Sequence, residues 1–362
     1  MQQASERVLV LVNKAASRAS RAWPLIKAVL EEHEVSFEGE ETGEPGGMER
    51  RVRAALREGC RTVAVVGGDG TLSEAARGFF ESPAELKDGE FPSRIETGAA
   101  LAILPAGTGD DFARGLKGSR ASLEECLERL VKHCRALRGE GHGAAAETLK
   151  EAQPEREGAA QQQDSEQQKD WEQPTTRLVD TLYASTDGGA HRFVCLNAAT
   201  LGIGAEVAAR VAAQKGAVRR LSGEARFALA AAGALLAWRN REVRVRIDDE
   251  HLLECATNLV AVTNGAYAGG GMRFAPSARP DDGRLEVVTG CRISRAGIVR
   301  ELARIHRGGH LANAKVILKT GTRVRIEMAE PSERLPVEAD GDLRGHTPAE
   351  FQLMPRSLRL VW

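Results

Sequence analysis

The sequence predicts an α/β protein in which an N-terminal domain with a parallel sheet is followed by a C-terminal β-sandwich domain. Up to residue 137, short apolar segments typical of buried strands alternate with stretches of helical periodicity. Such alternation is typical of a mostly parallel sheet. From residue 178, closely spaced strand-like segments predominate, which favours antiparallel pairing in a sandwich. The length of 362 residues suits two domains better than one.

In the N-terminal part, apolar and mostly β-branched runs predict buried strands, and apolar residues at helical spacing predict helices. Ser122 with Glu125 three residues later has the pattern of a capping box at a helix start. Asp110 or Thr108 is expected to cap a short helix after the last of these strands. The expected strands cover 7–12, 62–66 and 99–104, and the expected helices cover 23–34, 50–58 and 122–137.

The composition changes abruptly after the last of these helices. Residues 138–176 are rich in Gly, Ala, Gln and charged residues, and their large apolar residues are almost confined to Leu149 and Trp171. A segment of this kind cannot build a core of its own. We therefore expect a catalytic domain over 1–137, a flexible linker or insertion over 138–176 with a transient helix near 144–152, and a substrate domain over 177–362.

In the C-terminal part, Asp187-Gly188-Gly189 lies between two apolar segments and predicts a hairpin. Further apolar and alternating segments predict strands, and three segments have helical periodicity. The expected strands cover 179–185, 191–198, 243–247, 259–263, 285–289, 316–319, 323–328 and 357–361, and the expected helices cover 205–214, 223–238 and 295–306.

The overall charge and the cysteine pattern exclude several classes of protein. A formal net charge of −1 gives no bulk basic character, so we expect no nucleic-acid partner. Six scattered cysteines without a CxxC pair indicate reduced thiols and argue against a zinc site. The longest apolar run, 227–238, is too short to cross a bilayer, and no signal peptide is visible. We expect a soluble, cytoplasmic protein.

The first chemically informative segment is 63–74, in which an apolar run meets Gly67-Gly68-Asp69-Gly70 and a helix then begins. Glycines let backbone N–H groups approach an anion, and a helix start adds unpaired donors. This pattern predicts a phosphate-binding loop in which Asp69 requires a cation or a proton-transfer role. The alternative is an ordinary strand–turn–helix junction, since Gly-Asp-Gly turns are common.

A second glycine-containing loop, 105–111, follows the third predicted strand. Gly107 and Gly109 permit close backbone approach, Thr108 offers a hydroxyl, and Asp111 offers a carboxylate. Ligands of parallel sheets bind at the carboxyl ends of the strands, where both loops fall. The loop is either the second wall of a nucleotide site or only a helix cap.

Together the motifs GGDGT at 67–71 and GTGDDFA at 107–113 resemble the diacylglycerol kinase catalytic domain, in particular the bacterial lipid kinase branch that is also similar to sphingosine kinases. GGDGT alone is shared with NAD kinases and, loosely, with phosphofructokinases, whereas the combination is much more specific. The resemblance covers nearly the whole chain outside 138–176 and continues at 264–272, 275–278, 281–285 and 340–342.

This resemblance implies ATP- and Mg2+-dependent phosphorylation of a lipid hydroxyl in a cleft between the two domains, the first with a fold like that of NAD kinases and diacylglycerol kinases. It assigns a magnesium site to Asp282 with the backbone oxygens of Arg279 and Arg284, an arrangement that suits a hard cation. The alternative there is a plain Asp-Asp-Gly turn. The residues implied to bind ATP are Asn13, Thr42, Gly67, Gly68, Asp69, Gly70, Thr71, Leu72, Ser73 and Thr108.

The resemblance also implies a catalytic base. Asp342 stands where the family has the glutamate of its DGE motif, and a carboxylate there would accept the proton of the substrate hydroxyl. Aspartate is one methylene shorter, so Asp340 or Asp69 could share that role, and a plain Asp-Gly turn is the alternative. Asp69 is otherwise assigned to organise magnesium and phosphate. The family's NPxSG turn is NKAAS at 13–17, and Ser73 and Asp110 each replace an asparagine.

A membrane surface is the expected source of the lipid. Apolar segments at 201–204 and 227–238 could contact it, with nearby cations for anionic headgroups; the alternative for 227–238 is a core helix with solvated ends. The flanking cations are Lys215, Arg219, Arg220, Arg226, Arg239 and Arg241. A homodimer stays open, as do two other functions: a soluble-substrate kinase of the NAD kinase type and a nucleotide-binding regulator without turnover. No residue selects diacylglycerol over other lipid alcohols.

Overall fold

The computed structural model describes residues 7–83, 86, 90–139, 175–216, 218, 223–249 and 251–362. The expected linker 138–176, with its proposed short helix, lies almost entirely outside the described residues, and so do Arg219 and Arg220. No helix in the described ranges combines the length and the apolar character needed to cross a membrane.

The N-terminal part contains four parallel strands in the order β2–β1–β3–β4. Strands β1 (Val8–Asn13), β3 (Thr62–Gly67) and β4 (Ala100–Pro105) confirm the sequence prediction and are buried almost throughout. Strand β2 (Phe37–Thr42) is missing from that prediction, because its sequence FEGEET carries three glutamates. It pairs only with β1 and forms an edge of the sheet, where one side of the strand remains exposed.

In the described residues of the N-terminal part, five helices accompany this sheet. The capping box at the start of the last one is confirmed, since Ser122 and Glu125 exchange both hydrogen bonds. The expected cap at Asp110 is confirmed in position but not in a side-chain capping bond. Asp110 occupies the N-cap position of the short helix, but its carboxylate accepts a bond from the Gly107 amide in the preceding loop. The helices are α1 (Ser17–Glu32), α2 (Gly47–Arg57), α3 (Asp69–Arg77), α4 (Asp111–Lys117) and α5 (Leu123–Leu137).

As far as the structure describes it, the C-terminal part is built from antiparallel strands with three helices, and its β-sandwich character agrees with the prediction. The expected hairpin is confirmed: β5 and β6 are antiparallel and are joined by a short 3-10 turn at Asp187–Gly189. The strands are β5 (Thr176–Thr186), β6 (His191–Cys195), β7 (Ala198–Gly202), β8 (Arg241–Ile247), β9 (His251–Thr263), β10 (Leu285–Cys291), β11 (Val316–Gly321), β12 (Arg323–Met328), β13 (Pro336–Ala339), β14 (Asp342–His346) and β15 (Ala349–Val361). The helices are α6 (Ile203–Ala213), α7 (Gly223–Ala237) and α8 (Arg295–Ile305).

The last strand, β15, joins the two parts. It pairs with β5 along most of its length, and its end pairs in parallel with β4 at Leu360–Leu101 and Val361–Ala102. Leu358, Leu360 and Val361 are buried in the N-terminal core. The two parts therefore share one continuous sheet, and the chain's final residues belong to the first core.

The expectation of six reduced thiols is wrong for two cysteines. Cys255 and Cys291 form a disulfide, although they are 36 residues apart in the sequence. They meet because β9 and β10 pair in antiparallel fashion and the register shifts by one residue between Gly290 and Cys291. Cys60, Cys126, Cys134 and Cys195 are free. Pairing of this kind depends on strand register, which the spacing of cysteines does not reveal.

Candidate active site

The first glycine loop is a tight junction between β3 and α3. A methyl group on Gly67 would lie 2.6 Å from Cβ of Thr71, so only glycine fits where the helix turns back over the strand end. Helix α3 begins at Asp69, and its first ladder bond runs from the Leu72 amide to the Gly68 carbonyl. The amides that precede this bond are the donors that a helix N-terminus offers to an anion.

The second glycine loop contacts the first closely through its backbone. A Cβ on Gly107 would lie 2.6 Å from Cα of Gly68, and a Cβ on Gly68 would lie 3.2 Å from Cα of Gly107. The Ala106 amide also donates to the Gly67 carbonyl at 2.9 Å. The two loops thus form one surface at the carboxyl ends of β3 and β4, as the sequence predicts.

Asp69 joins the two loops rather than pointing freely from the first. Its Oδ1 accepts a hydrogen bond of 3.0 Å from the Phe112 amide in the first turn of α4. Burial raises the pKa of both Asp110 and Asp111, and the negative charge of Asp69 raises these pKa values further. Three carboxyl groups therefore lie close together, which favours a cation or a proton in this region.

Asp111 links the second loop to the C-terminal part. Its carboxylate accepts hydrogen bonds from the amides of Gly270 at 2.6 Å and Gly271 at 2.7 Å. Both glycines have positive φ values, of 87° and 96°, which a residue with a side chain adopts at a cost. The Asn264–Met272 segment therefore contributes backbone to the same cleft as the glycine loops.

A second link runs from α3 to the end of β13. The Ser73 hydroxyl donates to Oδ2 of Asp340 at 2.5 Å. Asp340 also accepts from the backbone amides of Leu196, Asn197 and Ala198 at 2.7, 2.9 and 3.1 Å. With four donors around its carboxylate, Asp340 is a structural connection between the two parts.

Asp340 and Gly341 form the two-residue turn of the β13–β14 hairpin. Ala339 pairs with Asp342 across it, and the φ values of Asp340 and Gly341 are 49° and 92°. Two positive φ values in a two-residue hairpin loop are typical of a type I′ turn, for which Asp-Gly is a favoured sequence. The alternative of an Asp-Gly turn is thus correct in geometry, and the turn places Asp342 directly after it.

Asp342 is more exposed than the other aspartates described above, with 60% of its side chain accessible. Its Oδ2 lies 2.8 Å from a guanidinium nitrogen of Arg344 and 3.7 Å from one of Arg77. Arg77 belongs to α3 and also donates to the Ser73 hydroxyl and to Glu49. Asp342 therefore lies between a cationic group of the C-terminal part, Arg344, and one of the N-terminal part, Arg77.

The remaining residues expected to bind ATP fall into two groups. Asn13 donates to the Thr71 hydroxyl at 2.8 Å, and Leu72 and Ser73 are buried, so these side chains support the loop from within. Thr108 is exposed on the second loop, and Thr42 is half-buried at the end of β2 beside Asn13. Direct contact with a nucleotide would thus involve the loop backbone and Thr108 rather than the side chains of Thr71 to Ser73.

Two family models cover most of the chain. Residues 7–137 match the diacylglycerol kinase catalytic domain, and residues 199–362 match the YegS C-terminal NAD kinase beta sandwich-like domain. The chain is thus similar to the diacylglycerol kinase catalytic domain family in its N-terminal part and to YegS in its C-terminal part. Among curated relatives, the "Probable lipid kinase YegS-like" protein of Stenotrophomonas maltophilia is 27% identical over 83% of this chain and 75% of its own length. That of Chromohalobacter salexigens is 28% identical over 88% of this chain and 82% of its own length.

The fold of the family is also seen in solved structures. A diacylglycerol kinase structure from Bacillus anthracis str. Sterne matches with a TM-score of 0.62 at 20% identity, covering 99% of this chain and 97% of that one. At this identity the match concerns the fold alone. The match to the catalytic domain model and the curated lipid kinase relatives together make the chain a kinase of the lipid kinase class.

Hydrogen bonds within the loop hold the magnesium site that the resemblance assigns to Asp282. The Asp282 amide donates to the Arg279 carbonyl at 3.4 Å, and Oδ1 of Asp282 accepts from the Arg284 amide at 3.0 Å. Partial burial and the charges of Asp180 and Asp281 raise the pKa of Asp282. In the described ranges no three His, Cys, Asp or Glu side chains cluster as a metal site, so a cation here would depend on one carboxylate and backbone carbonyls. These donors fit a hard cation.

Sequence reasoning missed Arg77 and Glu338. Arg77 follows the first glycine loop by two helical turns, and its role appears only when β14 is brought beside α3. Glu338 lies on β13, and its partners Thr200 and Gly341 meet it only in the folded hairpin, so no local sequence signal identifies it.

Proposed function

We propose that the chain is an ATP- and Mg2+-dependent lipid kinase that transfers the γ-phosphoryl group to a lipid hydroxyl of the diacylglycerol type. The observation that carries this proposal is that the glycine loops and the hairpin before Asp342 are held together by direct hydrogen bonds. Two bonded pairs support that arrangement: Ser73 with Asp340, and Asp111 with the glycine amides of the facing part.

The glycine loops would hold the nucleotide. Backbone amides at the start of α3 favour phosphate, and the exposed hydroxyl of Thr108 lies on the facing loop. Asn13 and Thr42 end neighbouring strands at the same edge of the sheet and would line the site. The carboxylate of Asp69, at the meeting point of both loops, would organise the cation that accompanies the phosphates.

Asp342 would accept the proton of the lipid hydroxyl. Phosphoryl transfer depends mainly on positioning and charge neutralisation, and a nearby carboxylate orients the attacking oxygen. The side chain of Asp342 is accessible for this role, and the tight turn directly before it fixes its backbone. Arg77 lies 3.7 Å from Asp342 and could stabilise negative charge that develops on the phosphoryl group.

Asp282 and the carbonyl groups of Arg279 and Arg284 would hold a second, structural magnesium ion. Such an ion supplies positive charge that offsets neighbouring carboxylates. Here those neighbours are Asp180 and Asp281, of which Asp180 accepts bonds from the amides of Gly283 and Arg356. The residues themselves hold the loop shape; the ion would lower the repulsion among them.

The α6–α7 pair would bring the enzyme to its lipid at the inner face of the membrane. Ala230 and Ala234 of α7 pack on Val207 of α6, while Leu229 and Leu236 are 53% and 74% exposed. Helix α7 thus has both a packed face and an exposed apolar face. It is intermediate between the two alternatives for 227–238, a membrane-contacting surface and a core helix. Helix α6 also packs against β13 and β14, so the apolar surface adjoins Asp342. Lys215, Arg239 and Arg241 add positive charge for anionic headgroups.

The test is incorporation of labelled phosphate from ATP into a total lipid extract presented as vesicles, with magnesium or with a chelator. We expect one or more labelled lipids, with magnesium required. Labelling of NAD with no labelled lipid would favour the soluble-substrate kinase. ATP binding without transfer to any lipid would favour a regulator without turnover. A homodimer stays a prediction, to be measured by light scattering.

A further inference from the structure

Glu338 lies at the centre of the β13–β14 hairpin. It lies on β13 two residues before Asp340 of the turn, and its strand neighbours Val337 and Ala339 are buried in the C-terminal core on the opposite face of the strand. Glu338 is half-buried. Glu338 has no part in the phosphoryl transfer proposed for Asp342 and the glycine loops.

Both oxygens of Glu338 are engaged. Oε1 accepts from the Gly341 amide at 2.5 Å, inside the two-residue turn that precedes Asp342. Oε2 accepts from the hydroxyl of Thr200 at 2.6 Å, on the neighbouring strand β7, where Thr200 is the register partner of Glu338. One carboxylate therefore bonds the turn on one side and β7 on the other.

Thr200 lies directly against the start of the apolar helix pair. Strand β7 ends at Gly202 and α6 begins at Ile203, with no connecting residue. A methyl group on Gly204 would lie 2.8 Å from the Thr200 hydroxyl, so the first turn of α6 contacts Thr200 closely. The chain of contacts thus runs from Gly341 through Glu338 and Thr200 to α6.

The ionised form of Glu338 has an electrostatic cost in this environment. Burial raises its pKa to about 7, and the charges of Asp340 and Asp342 add to the increase, against the two hydrogen bonds that lower it. Cys195 on β6 also interacts electrostatically with Glu338. A carboxyl group with a perturbed pKa beside a cleft is typical of functional sites. The other charged or titratable residues on elements packed against β13 are Glu206 and Arg210 of α6 and Arg344 and His346 of β14.

We propose that Glu338 is a positioning residue, whose ionised carboxylate fixes the Asp340–Gly341 turn to the first turn of α6 and so sets Asp342 against the surface where lipid enters. This inference rests on the proposed function. An ionised carboxylate can accept both bonds, from the Gly341 amide and from the Thr200 hydroxyl. Once protonated, the carboxyl group carries a hydrogen on one oxygen, so that this oxygen becomes a donor and the two accepted hydrogen bonds are no longer equivalent. Asp342 is then correctly set only above the pH at which Glu338 ionises.

The first experiment is the pH dependence of kcat/KM between about pH 5.5 and 8.5 for the full chain, Glu338→Gln and the control His346→Gln. Gln keeps an acceptor for Gly341 but does not ionise. The wild type should lose activity below about pH 7, by roughly tenfold per unit. Glu338→Gln should lack that acid limb, and His346→Gln should keep it, because His346 lies on the same hairpin but has no bond to the Gly341 amide or to Thr200. An unchanged limb in Glu338→Gln would overturn the proposal.

The second experiment needs no activity. The amide resonance of Gly341 should titrate near pH 7 in the wild type and lose that titration in Glu338→Gln, because the amide donates to Glu338. A Gly341 resonance that does not titrate in the wild type would overturn the coupling whatever the enzyme does. Failure of the wild type to phosphorylate any lipid would instead overturn the proposed function, so the two failures are distinguishable.

Discussion

The hydroxyl of Ser73 donates a 2.5 Å hydrogen bond to the carboxylate of Asp340, 267 residues further along the chain. Ser73 follows the first glycine loop within α3, and Asp340 forms the turn before the proposed catalytic Asp342. The bond therefore joins the expected nucleotide loop to the expected base. Three backbone amides of residues 196–198 complete the environment of Asp340.

Removing either partner of this bond should destabilise the protein. Ser73→Ala and Asp340→Asn should each lower the free energy of unfolding by about 1–3 kcal/mol, because hydrogen bonds to charged groups contribute about that much. Urea unfolding of both variants and of the double variant measures the coupling. We expect the double variant to lose about 1–2 kcal/mol less than the two single losses added. Strict additivity would contradict the direct bond.

The contact between the glycine loops should not tolerate a methyl group. In Gly107→Ala the new Cβ would lie 2.6 Å from Cα of Gly68 and from Oδ1 of Asp110, so the loops must separate. We expect ATP affinity, measured by calorimetry, to fall at least about tenfold, about 1.4 kcal/mol. Gly115→Ala is the matched control, since its Cβ would meet nothing closer than 3.6 Å. Equal affinities in the two variants would contradict the account.

His133 should make stability depend on pH. Burial, and then the charge of Arg359, lower its pKa to about 4, and its ring contacts the hydroxyls of Thr62 and Thr175. The unfolded chain takes up this proton at a higher pH than the folded chain, so stability is lost as the pH falls from about 6.5 towards 4. The wild type should lose about 2–3 kcal/mol more than His133→Gln between about pH 7.5 and 4.5, measured by urea unfolding. Parallel losses would show that His133 is protonated in the folded state.

The Cys255–Cys291 disulfide can be tested by counting thiols. Denatured protein should show four free thiols without reductant and six with it. Replacing both cysteines by alanine should lower the free energy of unfolding by about 2–4 kcal/mol, because the bond closes a long loop of the unfolded chain. Cys60→Ala is the control, as Cys60 is free. Six thiols without reductant would contradict the bond.

The glycine loops could be predicted from sequence because their chemistry is local: a strand, glycines and a helix start are consecutive residues. Strand β2 could not, because three glutamates at a sheet edge do not look like a buried strand. The return of β15 to the first core and the pairing of Cys255 with Cys291 depend on long-range register. Glu338 was missed for the same reason, since its partners Thr200 and Gly341 meet it only in the folded hairpin.

The proposed lipid phosphorylation, with Asp342 as its base, is tested most directly by comparing three proteins for transfer of labelled phosphate from ATP to lipid. These are the wild type, Asp342→Asn and Asp69→Asn. The account predicts that the wild type labels lipid and that Asp342→Asn lowers kcat by about 10²- to 10⁴-fold while it still binds ATP, as expected for a lost proton acceptor. Asp69→Asn should also lose activity, because the cation that accompanies the ATP phosphates would no longer be held. Full lipid labelling by both variants, or no labelled lipid with the wild type, would contradict the account.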